Sequence, residues 1–108
     1  MGDDIIDYGL KDVMRILENV KKNLYGIKDT NHIIIRSKDR NIDLNIIHNK
    51  INLDEPICIE KTLNESNKFL LTYEYTNLKD LCIGINILNE EEIQLLTVID
   101  KSAKRRKH

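Results

Sequence analysis

Three side chains able to move a proton or hold an anion stand four residues apart: His32, Arg36 and Arg40. On an α-helix each residue turns about 100°, so steps of four drift by only about 40° and keep the three on one face. On a strand the even spacing does the same. Only the reach differs, about 6 Å per step on a helix against about 13 Å on a strand. An imidazole titrates near neutrality and suits proton transfer. A guanidinium offers a planar fork that grips a phosphate through paired hydrogen bonds. The competing reading is structural: His32 caps its own element, and the arginines pair with Asp39, Asp43 or glutamates of the strands.

The segment carrying these residues is ambiguous by itself. Ile33, Ile34 and Ile35 in a row favour a strand. Asp39, Asn41 and Asp43 suggest the end of one helix and the cap of the next. The order Thr30-x-His32-x-x-x-Arg36-x-x-x-Arg40-Asn41-Ile42 resembles the signature of an uncharacterised microbial family placed near the RelE and BrnT type toxins. Asn41 stands where that family usually has Gly, a mild departure, because Asn also accepts a left-handed helix end. Ile33 replaces the usual Ala and Ser37 the usual Met. The resemblance spans Ile27 to Asp100, with its specificity in the motif. It implies a helix capped by Thr30 and a RelE-like α+β fold. It also implies the toxin of a toxin–antitoxin pair, a metal-independent endoribonuclease in which the ribose 2′-hydroxyl attacks. His32, Arg36 and Arg40 would then be catalytic, with Lys38, Lys104, Arg105 and Arg106 on the RNA. The implied partners are an antitoxin protein and RNA or the ribosome, with no cofactor. The alternative is a non-enzymatic interaction domain of the same fold.

The elements around the motif follow from hydrophobic spacing. Ile6, Leu10, Val13, Leu17, Val20 and Leu24 form a helical seam within a first helix expected from Asp3 to Tyr25, ended by Gly26. That seam packs on the domain's own sheet or forms a homodimer contact. A short helix is expected from Asp43 to Asn52, carrying Leu44, Ile46, Ile47 and Ile51. After Pro56 the period becomes two, giving strands at Ile57–Lys61, Lys68–Thr76, Leu81–Ile87 and Ile93–Ile99. Short turns between them predict a four-stranded, mainly antiparallel sheet beneath a long N-terminal helix and one or two short ones. The divisions are 1–26 for the N-terminal helix, 27–100 for the α+β domain and 101–108 for a basic tail read as disordered.

Composition narrows the function classes. With 108 residues, 41% of them hydrophobic, the chain supplies one modest core. Lys101, Lys104, Arg105, Arg106 and Lys107 concentrate positive charge in the tail; without those five, 12 basic residues face 18 acidic ones, a balance of −6. An acidic body opposes general nucleic-acid binding by the folded part. The start is wrong for a secretory signal and no apolar run reaches membrane-spanning length, which points to the cytoplasm. Cys58 and Cys82 read as free buried thiols, and with His32 and His48 they lack metal-ligand spacing. His48 reads as a surface or half-buried residue. Tyr73 and Tyr75 share a face with Phe69 and Leu71 and read as core, and Glu90, Glu91 and Glu92 as a solvated turn.

Overall fold

Alternation of apolar and polar residues makes each later strand one-sided, and the helices cover the apolar side. In the computed structural model, which describes residues 6–63 and 65–103, the order is α1 (Leu10–Lys21), β1 (Ile27–Asp29), α2 (Asn31–Asp39), α3 (Leu44–Leu53), β2 (Cys58–Lys61), β3 (Lys68–Glu74), β4 (Lys79–Asn89) and β5 (Glu92–Ser102). The class is α+β as expected. The sheet is five-stranded and mixed, in the order β1-β5-β4-β3-β2, rather than four-stranded. The additional strand, Ile27–Asp29, runs parallel to β5, while β2 to β5 form an antiparallel meander. Three residues are too few to show a period. What places them is close approach: a Cβ on Gly26 would lie 3.0 Å from the carbonyl oxygen of Glu91 and 3.1 Å from those of Asn23 and Val20. A side chain there would crowd three carbonyl oxygens, which favours glycine where the chain passes close enough for the Gly26 carbonyl to accept the Ile93 N–H at 2.8 Å.

The first helix is shorter than its seam suggests. Asn67 takes the Tyr8 N–H on its side-chain oxygen at 2.8 Å and donates to the Ile6 carbonyl at 2.8 Å. Those backbone groups are therefore committed to the β2–β3 turn and cannot enter a helix. Gly9 becomes the N-cap, its N–H held by the Asp12 carboxylate at 2.8 Å. Val13, Leu17 and Val20 of the seam are buried, joined by Ile16 and Tyr8, whereas Ile6, Leu10 and Leu24 are exposed. The expected acidic start at Asp3 and Asp4 lies outside the described residues. So do Lys104, Arg105 and Arg106; β5 continues through Lys101 and Ser102, so the expected tail does not begin at 101.

One face of the sheet supplies Phe69, Leu71 and Tyr73 from β3, Leu81, Ile83, Ile85 and Ile87 from β4, and Ile93, Leu95 and Val98 from β5 to a core shared with the helices. The phase of β5 changes because Ile85 pairs with Leu95 but Gly84 with Thr97, so Leu96 forms a bulge. Cys82 is buried as expected, but Cys58 is exposed, because it sits on the short edge strand β2. Glu90 is no idle turn residue: its carboxylate receives Arg15 at 2.8 and 2.9 Å, and Asn19 and Asn23 donate to the Glu90 and Glu91 carbonyls. These contacts pin α1 across the β4–β5 turn.

Tyr73 is a core residue, as its spacing indicated. Its hydroxyl is buried without a hydrogen-bond partner among the described residues. Burial, with Glu55 and Asp54 acting the same way, pushes the phenol well above its ordinary range. Two stability outcomes follow from this packing. Leu17→Ala should cost about 2–5 kcal/mol in denaturant unfolding, because the side chain is only 2% exposed. Tyr73→Phe should leave the melting temperature unchanged or raise it, since an unpaired buried hydroxyl costs about 1–3 kcal/mol of desolvation; a clear drop would show that the hydroxyl has a partner.

Candidate functional site

The motif segment is a helix, and its two ends explain why. Thr30 adopts an extended backbone and its hydroxyl works twice: it accepts the Ile33 N–H at 3.2 Å and donates to the Leu95 carbonyl of β5 at 2.7 Å. At the other end Asn41 takes φ 57°, the left-handed conformation expected of it. The Asn41 N–H then reaches the Lys38 carbonyl at 3.1 Å and the Ile42 N–H the Ser37 carbonyl at 2.9 Å, with Ile42 buried beneath. Asp43 next caps α3 by accepting the Asn45 N–H at 2.8 Å. Two helices separated by so short a turn are thus fixed by Thr30, Asn41 and Asp43.

This framing decides which side of α2 faces out. Ile33 and Ser37 are buried against the sheet, and Ser37 satisfies its hydroxyl on the Ile34 carbonyl at 2.9 Å. His32 and Arg40 are exposed and Arg36 is half-buried, the three running along one flank over about 12 Å. Among the described residues none of their side chains makes a hydrogen bond or an ion pair closer than 4 Å. The structural pairing of the arginines with Asp39 or Asp43 is therefore not formed. Arg40 does lie within electrostatic reach of Asp100. The carboxyl of Asp100 is held below the usual carboxylate range chiefly by Lys79, which donates to it at 3.0 Å, with a smaller contribution from Arg40. Lys38 projects elsewhere: it lines a cleft of about 510 Å³ on the opposite flank, with Ile34, Ile42, Leu44 and Ile46. The structure thus brings His32, Arg36 and Arg40 together and leaves Lys38 apart.

A different histidine has the carboxylate partner. His48 of α3 meets Asp29, the last residue of β1, with Nε2 2.8 Å from Oδ1, both side chains half-buried. No local pattern could have announced this contact, because the two residues are brought together only by the packing of α3 beside the edge strand. A carboxylate fixes the tautomer and orientation of an imidazole, and His32 lacks one. Among the described residues no group of three or more His, Cys, Asp and Glu side chains could hold a metal ion, and no helix is long and apolar enough to cross a membrane. No protein-family model, curated protein or solved structure matches the chain.

The Asp29–His48 contact ties α3 to the edge strand, and its removal is measurable. His48→Ala should lower stability in urea by about 1 kcal/mol, near the usual net worth of a partly exposed hydrogen bond, and Asp29→Asn should do so less, because an amide still accepts. Unchanged stability in both variants would show that the pair is no tether.

Proposed function

We propose that the chain is the toxin component of a toxin–antitoxin pair, a RelE-like domain that engages RNA through the outer flank of α2. The observation that carries this reading is the set of charged side chains His32, Arg36 and Arg40, aligned on one flank with no hydrogen-bond or ion-pair partner among the described residues. Unpaired guanidinium groups keep all five donors available for a phosphate. In a metal-independent cleavage, the ribose 2′-hydroxyl attacks the adjacent phosphate and the 5′-oxygen leaves. Arg36 and Arg40 would hold the charge of the phosphorane, and His32 would exchange the proton. An antitoxin would neutralise the protein by covering this flank.

A second reading has its own support. A cleft of about 510 Å³ beside α2 is lined by Lys38 and not by His32, Arg36 or Arg40. Catalysis is usually housed in a concavity that excludes water, and the body of the chain is acidic. Both features fit a non-enzymatic interaction domain of the same fold.

Expression in cells together with assays on RNA, free and on ribosomes, separates the two. Under the toxin reading, the parent arrests growth and cleaves RNA. Arg36→Ala and Arg40→Ala each lower the rate by about a hundred- to a thousandfold while keeping the parental melting temperature, and Lys substitutes poorly because it is a point charge. If the parent leaves RNA intact in both settings, the enzyme reading is lost and the interaction domain remains.

A further inference from the structure

A protein reads the bases of a single strand through aromatic planes or through hydrogen bonds to base edges, and neither stands on the α2 flank. The chain has four tyrosines, one phenylalanine and no tryptophan. Tyr8, Phe69 and Tyr73 are buried in the core. Tyr75 packs against that core and lines a recess with Lys50 and Asp54 at the end of α3. Tyr25 is exposed but precedes β1, whose Ile27 pairs with Ile93, whereas Arg40 acts on Asp100. From Ile93 to Asp100, β5 spans about 23 Å, so Tyr25 and Arg40 lie toward opposite ends of it.

The polar groups of α2 that could read a base edge point elsewhere. Ser37 faces the sheet and spends its hydroxyl on the Ile34 carbonyl at 2.9 Å. Thr30 spends its own on Ile33 and Leu95. Asn41 lines the cleft with Lys38. Asn31 is exposed, but it sits about 140° round the helix from Arg36 and about 180° from Arg40. What remains on the flank is His32, Arg36 and Arg40. Asp39, exposed beside them, repels phosphate and limits affinity. We propose that this flank recognises the sugar–phosphate backbone of a single strand and leaves its bases unread. The substrate class of the site is thus single-stranded RNA of any sequence, which rests on the RNA reading above.

Two features favour a single strand over a duplex. The inner side of α2 is committed to the sheet through Ile33 and Ser37, so the helix is not free to enter a groove. The major groove of A-form RNA is in any case too deep and narrow for side chains to read. In-line attack by the 2′-hydroxyl also needs a backbone that can rotate, and a duplex holds its sugars fixed. Contacts to phosphate set the position of the strand without selecting its sequence, and a guanidinium that stacks accepts every base. Two guanidinium contacts give a slope of about −1.4 for log affinity against log salt, at about −0.7 per contact on a single strand.

Fluorescence anisotropy of the full chain with labelled RNA, from low to physiological salt, tests it. The probes are short homopolymers of uridine, adenosine and cytidine, a mixed strand containing guanine, and a duplex of the same length. The four single strands should bind with Kd values within about threefold of one another, since phosphate contacts carry no sequence information, and the duplex more weakly. Arg36→Ala and Arg40→Ala should each flatten the salt slope by about 0.7, equally for all four strands. Should Arg36→Ala unfold the half-buried site, which circular dichroism will show, Arg36→Gln removes the charge and keeps the stem. A preference beyond about tenfold for any one strand, tighter binding of the duplex, or slopes unmoved by the arginine substitutions overturns this inference and leaves RNA binding in place. No binding to any strand at low salt removes the RNA reading and this inference with it.

Discussion

The hydroxyl of Thr30 joins three elements. It ends β1, caps α2 and reaches across to the Leu95 carbonyl of β5. Because one oxygen fixes both the first turn of the helix and its distance from the sheet, the rotation of α2 about its own axis is determined. Ile33 and Ser37 must then face the sheet, and His32, Arg36 and Arg40 must lie along the flank. A valine in place of Thr30 would keep the shape of the side chain but lose both hydrogen bonds, leaving the Leu95 carbonyl and the Ile33 N–H to find other partners. The charged flank is in this sense a consequence of strand geometry, transmitted through one side chain.

The second constraint is the one-sidedness of the sheet. Every core strand residue packs on the same side as the helices. Among the described residues, three helices and a short extended segment around Tyr8 cover that side. The His32, Arg36 and Arg40 side chains belong to α2, on the helix side of the sheet.

Much of this was legible from local pattern. Thr30, Asn41 and Asp43 each make a capping hydrogen bond to backbone two or three residues away, and such signals survive in the sequence, whereas the Thr30 bond to Leu95 does not. The four longer strands were legible for the same reason, since alternation is a local property. What was hidden is non-local. Strand β1 depends on the narrow space beside Gly26, α1 is cut short because Asn67 claims the backbone of Ile6 and Tyr8, and His48 finds Asp29 only after α3 has packed. The exposure of Cys58 likewise depends on which strand ends up at the edge. The seam of α1 was half right for an instructive reason: Val13, Leu17 and Val20 do pack inward, but spacing alone cannot say where a helix stops, and Leu10 and Leu24 lie at its two ends.

The chemistry of the α2 flank is most directly read by NMR titration of isotopically labelled protein with a short single-stranded RNA, following the arginine side-chain and histidine ring signals together with the backbone amides. The expected result is a set of shifts running along α2 through His32, Arg36 and Arg40, weakening as salt is added because the contact is to phosphate. Shifts confined to the sheet or to the cleft around Lys38, or none at all at low salt, would contradict the assignment of the α2 flank to RNA.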